Sequence, residues 1–447
     1  MRRAIGFTLL LTGSTTAWGF CGTYVGGAGA EIYNTVSEVV YVHYDNRTTL
    51  TLHSDVAGDT DDFSMLVPVP EVITKDNIHT VESDVIGRAD TYSSPRRVRY
   101  SCDDFAPRDE ADSDTDTDSD TDTDTDTDTD WDVDVEAEYV VGEYSVAILS
   151  SGSGGDLAGW LNGNGYVFPD DPDNILDVYI DQGSYFLAAR LTEGEVLPPD
   201  NRLSPLQFSY DADVMSLPIR IGTLNADGVQ DLIVYGINDY DGGAMGVANY
   251  PEQEVEESCM WLPPGGENLN DEEFAAFYLE QLDTLYEDSG AFWTREYAWG
   301  GGKCDPCEGL LEPDDLFTLG VPEKALQDPY FFDIFFSRLH MRYSPSEATQ
   351  DVMLYSSNTT STSQQRYIDY VYELESRFPV CGEGYPLDPG ECDFDDDDDD
   401  SGWPDETDDS GAETDIDADE KGCRSGNAAV WILGIGLMAW GRPRRKR

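Results

Sequence analysis

The sequence predicts an α+β fold, mostly antiparallel β-sheets with a few helices and disulfide support. Three observations carry this. Short β-rich runs punctuated by Asp, Asn, Gly and Pro recur along the chain, one long run after Asn270 has helical periodicity, and two acidic tracts without a basic residue separate and end the folded parts.

The chain opens with MRR, an apolar stretch from Ala4 to Leu11, and Ala17-Trp18-Gly19 as a small-x-small cleavage site, so residues 1–19 read as a signal peptide with the mature chain starting near Phe20. Phe20 and Trp18 stand where a lipobox needs small and aliphatic residues, which argues against lipidation at Cys21. Residues 20–108 form a β-rich N-terminal part, with strands expected at Val39 to His43, Thr48 to Leu52, Phe63 to Val69 and Arg97 to Tyr100.

Residues 109–138 contain DTDTDSDTDTDTDTDTD and cannot bury enough apolar surface to fold; they read as a disordered, self-repelling surface loop. Residues 139–392 form the main α+β part. Strands are expected at Tyr144 to Leu149, Tyr185 to Ala189, Leu206 to Tyr210, Leu217 to Ile221 and Leu232 to Ile237. Asn270 is an N-cap with Glu273 three residues on, and Phe274, Phe277, Tyr278, Leu282 and Leu285 fall on one helical face. Shorter helices are expected at Asp156 to Leu161, Asp173 to Ile180 and Pro313 to Phe317.

Residues 393–421 include six consecutive aspartates from Asp395 to Asp400 and read as an acidic, disordered stalk. Extended at up to about 3.4 Å per residue, this tract spans as much as about 100 Å. Residues 422–447 combine Gly422-Cys423, an apolar run from Ala428 to Trp440 and an arginine-rich end. As a helix the run reaches only about 20 Å against a hydrocarbon core of about 30 Å, a marginal span. Arg442, Arg444, Arg445, Lys446 and Arg447 hold the end on the cytoplasmic side by the positive-inside rule.

This tail resembles the tripartite C-terminal sorting signals of myxobacteria and their relatives. The resemblance implies a sorting protease that cuts near the Gly-Cys pair, with Cys423 as the processed and attached residue. An uncleaved tail anchor with an incidental cysteine is the alternative. Either way the expected localisation is the outer membrane or cell surface of a Gram-negative bacterium, with the membrane as partner through the C-terminal segment.

Charge narrows the partners. Of 447 residues 91 are acidic and 26 basic, a net charge of −65, so nucleic acid is excluded for want of clustered Lys and Arg. The cysteines come next. In an exported chain Cys21, Cys102, Cys259, Cys304, Cys307, Cys381 and Cys392 are by default disulfide partners, although sequence alone does not give their connectivity. Cys21 with Cys102 and Cys381 with Cys392 are the pairings that would close the N-terminal sheet and the end of the body.

Chemistry has few footholds. Cys304-Asp305-Pro306-Cys307 has the CxxC form of a thiol-disulfide centre, but Glu308-Gly309 is a poor helix start and Asp305 disfavours a thiolate, so a structural disulfide is the preferred reading. The four histidines, His43, His53, His79 and His340, build no HExxH, and GxSxG is absent. His340, in RLHMRY, reads as a packed or hydrogen-bonded structural residue. Asn225, Asp227 and Asp231 match part of a calcium loop, with Asp239 and Asp241 as further acids nearby; Thr223 stands at the first ligand position, and an Asp-Gly hairpin turn explains the same residues. Calcium is therefore a weak expectation, and no other cofactor is implied.

Ten strings occur in order: CGTYVGGAGAEIYN, DFSMLVPVP, VGEYSVAILS, DLAGWLNGNGYVFP, LSPLQFSYDADVMSLPIRIG, VQDLIVYGI, ANYP, REYAW, CDPC and RLHMRY. With them the chain, from Cys21 to about Cys381, resembles the family catalogued as domain of unknown function 2330, secreted bacterial proteins common in myxobacteria. The resemblance implies export and a cysteine-containing ectodomain, and it carries no catalytic residue. The functional expectation is a non-enzymatic envelope or binding ectodomain; the alternative is an exported thiol-disulfide oxidoreductase using Cys304 and Cys307.

Overall fold

The computed structural model describes residues 23–24, 26–27, 32–58, 64–100, 132–164, 166–167, 173–192, 203–226, 228–256, 259–260, 271–301, 311–328, 331–369 and 425–427. The strands used below are β1 (Ile32–Tyr44), β2 (Arg47–Gly58), β3 (Ser64–Val69), β4 (Ile78–Thr80), β5 (Arg96–Tyr100), β6 (Val133–Val141), β7 (Tyr144–Ser151), β8 (Tyr185–Leu191) and β9 (Leu206–Asp211). They continue as β10 (Ser216–Leu217), β11 (Gln230–Asn238), β12 (Met245–Val247), β13 (Phe292–Gly300), β14 (Phe335–Tyr343), β15 (Val352–Ser356), β16 (Ser363–Gln364) and β17 (Arg366–Asp369). The helices are α1 (Ser83–Ser93), α2 (Gly154–Gly163), α3 (Asp173–Asp181), the single turn α4 (Ile219–Gly222), α5 (Asp271–Ser289) and α6 (Pro313–Thr318).

An eight-stranded sheet runs in the order β16-β13-β14-β11-β1-β2-β9-β4. All neighbours in it are antiparallel except β11 and β1, which pair in parallel with Ser37 opposite Leu232. The β1–β2 hairpin turns on Asp45 and Asn46, both left-handed with φ of 50° and 65°, the two-residue geometry that matches strand twist and that Asp and Asn tolerate. A second sheet, in the order β3-β8-β7-β6 with Thr23–Tyr24 at the far edge of β3, lies over one face of the first.

Period-two alternation builds the layers. Val67 and Val69 of β3, Val146 and Ile148 of β7, and Leu187 and Ala189 of β8 face Val39, Leu52, Val234, Leu339 and Met341 of the large sheet. Their neighbours Leu66, Leu149 and Phe186 point the other way, onto Leu157 and Leu161 of α2 and Leu176 and Tyr179 of α3. The opposite face of the large sheet, through Val40, Ile233, Tyr235 and Phe336, is covered by Ile86, Ala89 and Tyr92 of α1 and Leu316 of α6. Helices, sheet, sheet, helices therefore stack in four layers, and each fully buried aliphatic or aromatic side chain contributes about 1.5–3 kcal/mol.

The α+β class with mostly antiparallel sheets is what the sequence predicts, and the expected helices appear as α2, α3, α5 and α6. Three local expectations are corrected. Leu217 to Ile221 is not a continuous strand: after β10 the chain turns helically at Ile219. Asp351 accepts the Arg220 backbone N–H at 3.1 Å and its guanidinium at 2.6 Å, and Tyr179 Oη accepts the Ile221 N–H at 3.3 Å. With β10 paired to β15, and α4 and a 3₁₀ turn at Thr223–Asn225 before β11, the residues around Asp227 do not join a hairpin. Strand β6 begins at Val133, inside the stretch 109–138 expected to be disordered; it lies at the edge of its sheet, where exposed Asp134, Glu136 and Glu138 discourage pairing with another chain.

Among the described residues no helix is long and apolar enough to cross a membrane. The signal peptide, the Asp/Thr tract up to residue 131, the stalk, Cys423, the apolar run 428–440 and the arginine-rich end lie outside the described residues, as do Cys21, Cys102, Cys304, Cys307, Cys381 and Cys392. Cys259 is placed by its backbone, in the short strand Cys259–Met260 that pairs in parallel with β17.

Candidate functional site

On the helix-covered face of the large sheet, β14 sets Phe336, Arg338, His340 and Arg342 in alternation with Leu339, Met341 and Tyr343, which enter the inter-sheet core. Three cationic side chains thus form a row beneath helices. In cross-strand register Arg342 stands opposite Asp231 and Arg338 opposite Tyr235 on β11. A β-bulge between Arg295 and Tyr297 inserts Glu296 on the other flank, which lets its carboxylate reach the same row.

The resulting network is dense. Arg342 donates Nε and Nη2 to the two oxygens of Asp231, both at 2.7 Å, and Nη1 to Asp283 of α5 at 2.6 Å. His340 lies between two carboxylates, with Nε2 at 2.9 Å from Asp231 and Nδ1 at 2.8 Å from Glu296. Both acceptors are anionic, so both ring nitrogens carry hydrogen and the ring is an imidazolium. Glu296 also accepts Arg338 Nε at 2.5 Å and the Tyr278 hydroxyl of α5 at 2.7 Å. Arg338 Nη1 donates to Asp90 of α1 at 2.5 Å.

Beyond Arg338 the network continues into β1 and β2. The Tyr235 hydroxyl lies 2.7 Å from Glu38 and 3.0 Å from Asp90, and His53 Nδ1 is 2.8 Å from the other oxygen of Glu38. His53 Nε2 is buried without a hydrogen-bond partner among the described residues.

Electrostatics follow from burial set against neighbours. Burial opposes the charge on His340, yet the Glu296 charge and the hydrogen bonds to Asp231 and Glu296 lift its pKa to about 9. Burial likewise opposes ionisation of Asp231 and Glu296, but their hydrogen bonds and charges from His340 and the two arginines hold both at about 2. Burial pushes Asp90 above the usual carboxylate range in spite of Arg338, with the Glu38 charge adding to the rise. Glu38, though equally buried, is held below that range by His53, Tyr235 and Arg338. The Tyr235 hydroxyl keeps its proton, since burial and the flanking carboxylates both disfavour a phenolate.

The side chains of Arg338, His340, Arg342, Asp231 and Glu296 are each 6% exposed or less, whereas Asp283 is 61% exposed. Chemically, the arrangement fixes α1 and α5 to the sheet through ionised groups that satisfy one another. His340 is packed and hydrogen-bonded, as its sequence context suggests. Asp231 has both oxygens engaged by Arg342 and His340; the Asn225 side chain and Asp227 lie outside the described residues. Among the described residues no group of three His, Cys, Asp or Glu side chains is placed to hold a metal ion. Sequence reasoning passed over Glu296, Arg338 and Arg342; the alternation in FFSRLHMRY was the available signal, whereas nothing in REYAW announces the bulge.

A family model described as an uncharacterized protein conserved in bacteria, DUF2330, matches residues 15–355, a span that holds every member of the network. No curated protein and no solved structure matches the chain.

Proposed function

Given that the chain belongs to the DUF2330 family of uncharacterized bacterial proteins, we propose that it is a non-enzymatic envelope or binding ectodomain, exported and held at the cell surface by its C-terminal tail. One observation carries the non-enzymatic part of this reading. The acid–base constellation built among the described residues is closed: Asp231, Glu296, Arg338, His340 and Arg342 are buried against one another and the helices above them. A general acid or base must come within hydrogen-bond reach of a reacting atom. Here those valences are consumed in holding the fold.

Export and anchoring rest on the sequence: the N-terminal apolar stretch with its small-x-small site, the acidic stalk and the Gly422-Cys423 tail. The sorting protease and the membrane are the partners this reading requires. Mass spectrometry of wild-type surface material tests it. Maturation should remove the apolar run 428–440, and Cys423→Ala should retain it; a wild-type C-terminus ending at Arg447 would leave an uncleaved tail anchor instead. A free-thiol assay on the same material addresses the oxidoreductase alternative. Ready exchange with a mild reductant and a low-pKa thiol at Cys304 or Cys307 would replace the non-enzymatic reading.

A further inference from the structure

Helix α5, DEEFAAFYLEQLDTLYEDS, carries seven acidic residues and no basic one. Glu287 and Asp288 stand in its last turn, where the helix dipole opposes negative charge. Its buried Phe274 and Leu282 and the ring of Tyr278 form a small cluster with Val255, Phe292 and Tyr367, separate from the larger cores. Two polar side chains of α5 reach the cationic row: Asp283 accepts from Arg342, and Tyr278 donates to the Glu296 carboxylate that also binds His340 and Arg338.

We propose that α5 is an electrostatically latched helix: the charge on His340 completes the row on which it docks, and loss of that charge frees α5 while the sheets stay folded. His340 contacts Asp231 of β11 and Glu296 of β13, with Arg338 and Arg342 flanking it on its own strand; Tyr278 and Asp283 of α5 reach it through Glu296 and Arg342, and Asp90 of α1 bonds Arg338 and Tyr235. Deprotonation removes one ring N–H, so that Glu296 or Asp231 then faces a nitrogen lone pair at hydrogen-bond distance. Asp231 keeps its bidentate arginine within the sheet. Glu296 accepts the Tyr278 hydroxyl of α5, and lifting the helix lets water take that place. Against burial, Glu296 and Asp231 lift the pKa of His340 to about 9, so the latch is closed while the ring is charged and opens as pH rises through about 9.

Hydrogen exchange of the full chain at about pH 6 and about pH 9.5, corrected for intrinsic rates, tests this. The α5 amides should lose protection roughly tenfold or more at the higher pH while β11 and β14 amides hold theirs. Asp283→Asn, which alters the exposed tether and leaves the buried row intact, should lower α5 protection already at about pH 6. Loss of protection in α5 and β14 in step, equal α5 protection at both pH values, or no effect of Asp283→Asn would overturn the proposal.

Discussion

Arg342 and Asp231 face each other across neighbouring strands and meet through two parallel hydrogen bonds of 2.7 Å, both side chains 1% exposed. Removing one partner of such a pair leaves the other charge buried, at a cost of about 3–5 kcal/mol. Asp231→Ala should therefore lower the unfolding free energy by about 3–5 kcal/mol, read as a lower denaturant midpoint. Asp211→Ala, which breaks an exposed pair with Arg47, should cost about 0–1 kcal/mol. Equal losses in the two variants would show that the buried pair is not held as described.

Acid should act through Glu296 and Asp231. Their folded pKa values, about 2, lie below the ordinary 4.5 and 3.8, so their contribution is present above about pH 4.5 and is lost as pH falls toward 2. Urea unfolding followed at successive pH values from 6 to 3 should show stability falling through this window, and Glu296→Gln should flatten the fall.

Gly243 has φ of 67°, and a Cβ there would sit 2.1 Å from the Thr359 carbonyl oxygen, the acceptor of the Ala244 N–H. Gly243→Ala combines a left-handed backbone with a backbone clash, for a loss of about 1–3 kcal/mol. A thermal midpoint lower by several degrees is expected; Gly87→Ala, on α1 with open space around its Cβ position, should leave it unchanged or higher.

Deleting Ser113 to Thr129 should leave the melting temperature within a few degrees of wild type. The segment falls between the end of β5 at Tyr100 and the start of β6 at Val133, and shortening a connection changes its closure entropy little. A larger drop, restored by calcium, would place a needed ion in the tract.

Much of the fold was legible because apolar alternation and helix punctuation are local signals. Pro313 opens α6, and the face of Phe274, Tyr278 and Leu282 marks α5. Helix α1 was missed: its cap, Glu82, makes no side-chain capping bond, and Gly87 and Thr91 dilute the pattern until Ile86, Ala89 and Tyr92 find the sheet. The network was less legible for a stricter reason. Arg338, His340 and Arg342 look like the solvent face of a strand, and only tertiary cover supplied by α1 and α5 turns that face inward.

The parallel pairing of β1 with β11 has a kinetic consequence. Val39 cannot meet Val234 until the polypeptide has been made through the Asp/Thr tract and the entire second sheet. Until then the β1–β2 hairpin presents an unpaired edge and apolar Val40, Tyr41 and Val42, so its folding is governed by distant contacts and is slow. Chains stopped before Gln230 would keep that edge open and aggregate, so the yield of soluble protein should fall sharply for truncations that end short of β11.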